Sequence, residues 1–492
     1  MPRRWLALVA VGLATFMGYL DNNVTNVAIP TIQRSLHLSV AGLEWIVSSY
    51  ILVFAGLLLA GGRLADLYGR RRLFLAGVAV FTLSSLGAGL AGSGAVLIGT
   101  RLLQGAGAAL MVPTTLAIIA ATFTDIRERT RAIGIWSAIG ALALALGPLI
   151  GGYIAQHFHW GWIFLINVPV GVAAMVLGAA AIRESRDTSA ARRLDLPGLV
   201  TSSAALFALT YALIEGHDRG WTSAQILAAF AVAAVAGAAF VLIESRTPAP
   251  MVQLSLLRSR AFSGGTGTMM LWAFGIFGIY FFTSLYLQGV LGFSPVRAGL
   301  AFVPMALAMA VFAAAGAQLS SRLGAHRMVA IGLALNVAGL VLFARLGARA
   351  SLADLLPGFL LFGAGSGLMT VPLTTTVIGS VPPERSGIAS ALLNNSREVA
   401  GLLGITVIGA VLRSRQGAAV THGSAPVPAF LDGYHAGLAV TIALLAAGIV
   451  VSYLALRRVP RAVPVPVAAE PLAGGGAEEP VAAGSQGRPG SA

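Results

Sequence analysis

One segment of this sequence occurs twice, first as Gly105-Ala-Gly-Ala-Ala-Leu-Met-Val-Pro113 and again as Gly363-Ala-Gly-Ser-Gly-Leu-Met-Thr-Val-Pro372, with one residue inserted before the second proline. Two further matches lie around it: Leu64, Gly69 and Arg72 correspond to Leu319, Gly324 and Arg327, and Glu128-Arg129 corresponds to Glu384-Arg385. Similarity between distant parts of one chain indicates that a structural unit is repeated. The sequence therefore predicts two equivalent halves.

The chain is too apolar for a soluble protein. Of its 492 residues, 57% are hydrophobic and only 10% are charged. Apolar runs of about 20 residues, the length needed to cross a bilayer, recur along it. Because lipid cannot hydrogen-bond the backbone, such runs must be helices. We predict fourteen membrane helices, near residues 6–29, 44–62, 73–93, 95–118, 132–154, 162–182, 196–215, 222–243, 262–287, 298–319, 327–346, 355–378, 388–411 and 434–456.

The repeat divides these helices into groups. Helices one to six match helices nine to fourteen in the same orientation, so we expect an all-α polytopic protein with six-helix halves at 1–182 and 261–458. Helices seven and eight form an insertion at 183–260, and the Pro-, Gly- and Ala-rich residues 459–492 predict a disordered cytoplasmic tail. Two parallel halves are the geometry of a transporter that rocks around a site near the bilayer midplane.

The chain has a net charge of +14, and all of its positively charged residues apart from histidine are arginines, since it has no lysine. The arginines form short clusters between apolar runs, which is typical of topological anchors and not of a nucleic-acid surface. With a cytoplasmic N-terminus, 23 arginines fall on the inner side and seven, among them Arg413, on the outer side. We therefore expect an inner-membrane protein with both termini in the cytoplasm and no nucleic-acid partner.

Missing residue types exclude several functions. Without lysine there is no Walker A lysine and no Schiff-base lysine. Without cysteine there is no disulfide, thiol nucleophile or sulfur metal site. No grouping of nucleophile, base and orienting residue is recognisable, and no cluster of metal ligands. We expect neither an enzyme nor a metal site nor a bound cofactor.

Several motifs accompany the repeat and together resemble one known family. The predicted loop after the second helix reads Gly62-Arg-Leu-Ala-Asp66-Leu-Tyr-Gly69-Arg70-Arg-Arg72. Other helices carry Leu20-Asp21-Asn-Asn-Val-Thr-Asn26, Arg101-Leu-Leu-Gln104-Gly105-Ala-Gly107, Gly147-Pro148-Leu-Ile-Gly151-Gly152 and Trp162-Ile-Phe-Leu-Ile-Asn167-Val-Pro169. Over residues 5–456 the chain resembles the 14-helix drug:proton antiporters of the major facilitator superfamily. The resemblance implies export of drug-like or antibiotic compounds by alternating access, with protons as the coupling ion.

The loop motif combines opposite charges with glycines. Asp66 and Arg70 can form charge-assisted contacts at the cytoplasmic mouth, and Gly62 and Gly69 allow close helix approach or a helix end. We interpret the loop as a cytoplasmic gate whose contacts change as the halves rock. The alternative is a topological anchor. Because Ser321 stands where Asp66 would repeat, only the first half can carry the full charge arrangement.

Asp21, Arg101, Arg397 and Glu398 are the charges most clearly inside predicted helices. Such charges are unlikely to face lipid without partners, because each costs about 2.5–3.5 kcal/mol near a helix centre. At 1.5 Å per residue, Asp21 lies about 12 Å and Arg101 about 9 Å below the outer surface, so the two can meet. Burial disfavours a charged carboxylate and a nearby cation favours it. We therefore predict that Asp21 and Arg101 couple transport to protons, the alternative being a permanent structural ion pair.

The thirteenth helix supplies the other two intramembrane charges. Adjacent residues point about 100° apart, so Arg397 and Glu398 need not pair with each other. Glu398 lies about 14 Å from the inner end, close to mid-membrane. We predict it as a second proton carrier or a contact for a cationic substrate. It could instead be a local partner for a polar group on a neighbouring helix.

Two further helices carry candidate features. Gly147-Pro148 with Gly151 and Gly152 allows a kink and tight packing; the family resemblance associates this motif with antiporters, and an ordinary packing kink is the alternative. Phe274, Phe277 and Phe281 share a helix face and are predicted to line the substrate cavity, although lipid-facing or interface aromatics fit equally well. The remaining predicted cavity residues are Asn26, Gln104, Asn394, Arg397 and Gln288, the last at its outer mouth.

We therefore predict a proton-coupled exporter of small amphipathic compounds that works as a monomer in the bilayer. The first alternative is a proton-coupled uptake transporter for a nutrient or metabolite, which the Gly147-Pro148 motif and the fourteen-helix plan disfavour. The second is a membrane sensor that transports nothing. A sensor would not explain why charges at matching depth occur in one half only, since Phe359 stands where Arg101 would repeat.

Overall fold

The computed structural model describes residues 3–186, 195–248, 250–382 and 385–457. In this part of the chain fourteen helices are long and apolar enough to cross a membrane, which confirms the predicted fold class. The sixth consists of two short helices, α6 and α7. The helices are α1 Arg3–Leu36, α2 Val40–Tyr68, α3 Arg70–Gly89, α4 Gly94–Thr122, α5 Ile126–His157, α6 Trp162–Leu165, α7 Asn167–Ala181, α8 Leu196–Arg219, α9 Ala224–Arg246, α10 Arg260–Leu285, α11 Pro295–Leu323, α12 Ala325–Phe343, α13 Leu352–Gly379, α14 Ser386–Thr421 and α15 Pro426–Leu456.

The helices are longer than the apolar runs that revealed them. The first run was predicted to end at residue 29, but α1 continues through Pro30 to Leu36. The run at 388–411 belongs to α14, which extends to Thr421. A helix that leaves the hydrocarbon region keeps its backbone hydrogen bonds, so hydropathy no longer marks its end. Glu384 of the repeat, the end of the predicted second half at 458 and the predicted tail at 459–492 lie outside the described residues.

The repeated segment packs in the same way in both places. Gly107 of α4 lies against the backbone of α3, where an added Cβ would come within 2.6 Å of the Phe81 nitrogen. Gly365 of α13 lies equally close to α12, with an added Cβ 2.9 Å from the Asn336 nitrogen. Small residues permit such backbone approach between membrane helices. Each copy therefore holds its helix against the one before it, and the division into two halves plus an insertion stays our prediction.

The first six membrane helices contact the last six at one end. Gln288, after α10, donates from Nε2 to the Val27 carbonyl of α1 at 2.8 Å. Gln156 of α5 accepts a hydrogen bond from the Val296 backbone of α11 at 3.2 Å. Gly152 of α5 also lies directly against the Pro295 carbonyl. These contacts close the molecule at the end where α1, α5 and α10 terminate.

The two inserted helices lie beside this contact. α8 packs against both α2 and α14, and α9 packs mainly on α8. In the most apolar 18-residue stretch of α9, only 6% is buried inside the protein. This helix therefore presents its apolar side chains to the surroundings. The insertion therefore borders the place where α2 and α14 meet.

Candidate functional site

Asp21 of α1 and Arg101 of α4 form an ion pair in the interior. Both side chains are completely buried. Arg101 donates from one terminal nitrogen to Asp21 Oδ2. Gln104 and Asn167 donate to the other carboxylate oxygen, Oδ1, at 3.1 and 2.8 Å. The structure thus brings together the two residues that helix depth placed at the same level, with two amides that complete the coordination of the carboxylate.

Arg101 is held on several sides. Its Nε donates to the Ile46 carbonyl of α2 at 3.1 Å, and a terminal nitrogen donates to Gln104 Oε1 at 2.9 Å. The guanidinium carbon lies 4.4 Å from the centre of the Tyr50 ring, a cation–π contact. These contacts tie α1, α2 and α4 together through one cation.

Gln104, which was predicted to line the substrate cavity, lies beside the ion pair. The side chain is fully buried. Its amide donates to Asp21 and also to Ser85 Oγ of α3, the latter at 2.7 Å. The physical reason is the helical period, because residues 101 and 104 share one face of α4. Gln104 therefore belongs to the charge network, and its place in a substrate cavity stays a prediction.

Arg397 and Glu398 of α14 pair with each other. Arg397 donates to Glu398 Oε1 at 2.7 and 3.2 Å. The angle between adjacent residues had not indicated this pairing, but the long arginine side chain reaches around the helix. Tyr19 of α1 interacts with Arg397, and the Tyr50 hydroxyl interacts electrostatically with both Asp21 and Glu398. Tyr19 thus lies near the charged pair of α14, and Tyr50 lies near Arg101 as well as Glu398.

The two predicted polar cavity residues on α14 and α1 have local contacts. Asn394 is exposed and donates to the Ser390 carbonyl one turn earlier at 2.9 Å. Asn26 likewise donates to the Asn22 carbonyl at 3.1 Å, while its Oδ1 is buried and accepts no hydrogen bond in the described part of the protein. Both keep free hydrogen-bonding capacity, so their place in a substrate cavity stays a prediction.

The aromatic face of α10 packs against α14. The Phe277 ring lies on Gly401, and the backbone of Phe274 lies against Gly404. Phe281 is completely buried and contacts Phe282 edge-on. Two of the three aromatic residues thus face a neighbouring helix, and the place of all three in a substrate cavity stays a prediction.

Gln288, which was predicted to lie at the outer mouth of the cavity, takes part in the contact between the first and last six helices. Its hydrogen bond to Val27 spans the contact between the first and last six helices. A second bond, to Ser284 Oγ at 3.3 Å, holds the amide on the end of α10. In this arrangement Gln288 helps to close this end of the molecule, and its place at the outer mouth of a substrate cavity stays a prediction.

The segment predicted as a loop after the second helix is almost entirely helical, because only Gly69 lies between α2 and α3, and its arginines have acidic partners. Arg70 donates to Asp66 Oδ1 at 2.9 and 3.2 Å. Gly69 has φ +115°, a conformation that favours glycine. Glu184, which follows α7 and which the sequence reasoning missed, accepts the Arg71 backbone N–H at 3.1 Å. Gly62 faces Pro113 of α4, and the gate role of the loop stays a prediction.

The glycine and proline motif of α5 lies between two helices. The helix continues through Pro148 to His157. Gly147 and Gly151 pack on α1, and an added Cβ at Gly151 would come within 2.7 Å of the Val24 carbonyl. Pro148 and Gly152 face α11, since the Pro148 carbonyl lies against Gly299. The motif therefore joins α1 to the contact between the first and last six helices.

Comparison with known proteins assigns this architecture to a family. The family model described as Major Facilitator Superfamily matches residues 11–405. The chain belongs to the major facilitator superfamily. It is 39% identical over 407 residues to the multidrug resistance protein Stp of Mycobacterium tuberculosis (strain CDC 1551 / Oshkosh), covering 83% of this chain and 75% of that protein. It is 37% identical over 415 residues to the tetracenomycin C resistance and export protein of Streptomyces glaucescens, covering 84% and 77%.

The fold agrees with that of solved transporter structures. The crystal structure of the POT family transporter PepTSo superposes with a TM-score of 0.68 at 15% identity, covering 93% of this chain and 98% of that one. Membership of the superfamily confirms the prediction of a multi-pass membrane transporter of small molecules that is not an enzyme. It thereby disfavours the sensor alternative.

The sequence reasoning missed a second buried ion pair in this superfamily member. Glu44 of α2 is completely buried and accepts a hydrogen bond from Arg413 of α14, which is 6% exposed. Arg413 was predicted as an outer topological anchor, and the structure corrects this because α14 extends past it. The available signal was an acidic residue and a basic residue at the edges of two predicted spans, 44–62 and 388–411.

Proposed function

We propose that this protein exports small amphipathic, drug-like compounds in exchange for protons by alternating access. Superfamily membership and relatives named for multidrug resistance and for resistance and export support the direction and the substrate class. The observation that carries the proton coupling is the fully buried Asp21 carboxylate in contact with Arg101. It is an acid–base group inside the first six helices, at the depth where transporters of this kind bind their substrates.

A proton on Asp21 would change this site in a defined way. It would cancel the charge that Arg101 now pairs with and occupy an oxygen that accepts hydrogen bonds from Arg101, or from Gln104 and Asn167. The hydrogen bonds from Arg101 and Gln104 of α4 and from Asn167 of α7 to α1 would weaken together, because these three bonds end on this one carboxylate. Protonation would thus alter how α1 packs, and substrate binding would reverse the change by displacing the proton.

Access to Asp21 would alternate between the two sides. Val27, whose carbonyl accepts from Gln288, lies about 9 Å along α1 from Asp21. In the proposed orientation, with both termini cytoplasmic in the inner membrane, this contact closes the outer side. Opening it would let an outside proton reach Asp21. A potential of 100 mV supplies about 2.3 kcal/mol per charge moved, so one or two protons can support a useful gradient.

Efflux from proteoliposomes under an imposed pH gradient tests the proposal. The purified monomer would be reconstituted, with tetracenomycin C and the cation ethidium as probes. The wild type is expected to move at least one probe against its gradient only while the pH gradient lasts, and Asp21→Asn is expected to lose this driven transport. Asp432→Asn, which alters an exposed acid, is the matched control. Driven transport that persists unchanged in Asp21→Asn would refute the role of Asp21.

A further inference from the structure

The Glu44–Arg413 pair joins the two sets of six helices. Glu44 lies in the first turns of α2, and Arg413 lies in the last third of α14. Both occur at the end where Gln288 contacts Val27. Gly409, one turn before Arg413, makes room for the Glu44 carboxylate, because a Cβ at this position would overlap it. The close approach of α2 and α14 at this end is therefore built around one carboxylate.

Arg413 is also fixed to the inserted helices. Its second terminal nitrogen donates to the Leu213 and Ile214 carbonyls of α8 at 3.2 and 2.9 Å. Since these carbonyls are neutral, Glu44 supplies the opposite charge that compensates this buried cation. Removing that charge would leave Arg413 attached to α8 while its bond across to α2 is weakened.

The carboxylate itself is incompletely satisfied. Oε1 accepts from Arg413, whereas the buried Oε2 accepts no hydrogen bond from any described residue. A pocket of about 330 Å³ adjoins the pair, lined among others by Ser39, Ala41, Asp218, Arg413 and Gln416. The pocket gives water access to the neighbourhood of a carboxylate that has an unused oxygen.

Separating α2 from α14 means separating these charges. Pulling a buried cation and anion apart in a medium of low dielectric constant is costly, because neither keeps a compensating charge. A proton on Glu44 lowers the free-energy cost of this separation, because a neutral carboxyl can leave Arg413 without becoming an unpaired buried anion. The charged and titratable groups around Glu44 on the helices packed against it are Arg413 on α14 and Glu215, His217, Asp218 and Arg219 on α8.

We propose that Glu44 and Arg413 form a latch that holds the outer side closed, and that a proton bound by Glu44 from the outside releases it. Glu44 is thus a second proton site, distinct from Asp21, and it acts on the contact between the halves. This inference rests on the proposed function for its orientation and its proton gradient. It explains why the buried arginine spans α2, α8 and α14 at the closing end.

Distances between spin labels test the latch without any transport measurement. The chain has no cysteine, so labels attach only at introduced sites. Ala95→Cys at the start of α4 and Ala348→Cys between α12 and α13 are exposed positions at this end. In an Asp21→Asn background in nanodiscs, lowering the pH is expected to increase the population with the longer distance. Adding Glu44→Gln is expected to raise the ratio of the longer-distance to the shorter-distance population about tenfold at neutral pH, which corresponds to about 1.4 kcal/mol. It is also expected to abolish the pH dependence of this ratio.

Two matched variants separate the latch from general damage. Glu44→Asp retains a carboxylate and is expected to keep the pH response. Glu215→Gln removes a carboxylate of α8 that accepts hydrogen bonds from Trp45 and Arg219. It is expected to show the same pH response of the label distance as the labelled Asp21→Asn protein. A pH response that survives Glu44→Gln, or its absence in the Asp21→Asn parent, overturns the proposal. Because no substrate is present, these outcomes are independent of whether drug export is observed.

Discussion

Removing the cation of the Asp21–Arg101 pair should destabilise the protein far more than removing an ordinary polar contact. Arg101→Met leaves the Asp21 carboxylate buried without a charged partner. Breaking one side of a buried ion pair costs about 3–5 kcal/mol. Since Gln104 and Asn167 still donate to Asp21, we expect the lower end, about 3 kcal/mol.

A double-mutant cycle isolates the interaction between the two charges. Asp21→Asn, Arg101→Met and the double variant would be compared by their free energies of unfolding in mixed detergent–SDS micelles. The double variant leaves no buried charge without a partner. Its free energy of unfolding should therefore be higher than the sum of the two single-variant losses predicts. The coupling energy should be about 2–3 kcal/mol, at the upper end of the values found for residues in contact.

The chain contains a neutral pair that sets the reference for this cycle. Thr283 of α10 and Tyr434 of α15 share a buried hydrogen bond of 2.8 Å. Polar contacts between membrane helices average only about 0.6 kcal/mol in such cycles. The matched cycle of Thr283→Val and Tyr434→Phe should give a value of that order. A coupling between Asp21 and Arg101 no larger than this reference would refute the view that the pair is a strong charge interaction in the folded state.

Three further perturbations follow from the contacts described. Glu398→Gln should reduce transport of ethidium more than of a neutral probe, measured by proteoliposome uptake and release; equal losses would contradict a role in recognising positive charge. Gly152→Val should force α5 away from the Pro295 carbonyl and lower the free energy of unfolding by about 1–3 kcal/mol, with Gly134→Val, at a position with open space around it, as the control. Asp66→Asn should change that free energy by less than about 1 kcal/mol, because its pair with Arg70 is partly exposed, yet slow transport; wild-type transport rates would argue against a gate.

The position of a residue along its membrane helix, estimated from the rise per residue, was enough to predict the contact between Asp21 and Arg101. It was not enough to predict contacts that also depend on how each helix is rotated about its axis. Asp21 and Arg101 both lie well inside apolar runs, so the cost of burial demanded partners and the helix rise placed them at one level. The rotation of each helix about its axis is not contained in such an estimate. Phe277 shows the consequence, because helical spacing alone did not indicate that its ring lies on Gly401 of α14.

The latch residues escaped prediction for a different physical reason. A charge at the edge of an apolar run looks the same whether it reaches water or lies between helices that extend beyond the bilayer. Glu44 and Arg413 stand at such edges, and only tertiary packing, with Gly409 opposite the carboxylate, removes them from water. Hydropathy is a property of one segment, whereas burial at a helix end depends on its neighbours.

The repeat also shows that similar packing does not require similar chemistry. Gly107 and Gly365 hold α4 and α13 against their neighbours in the same manner. Yet Phe359 stands where Arg101 would repeat, and it packs against Phe302 and Phe343. An aromatic cluster thus fills in α13 the volume that an ion pair fills in α4. The repeat as such therefore does not require an arginine at this position, and this asymmetry supports a role for the Asp21–Arg101 pair beyond the packing that both halves share.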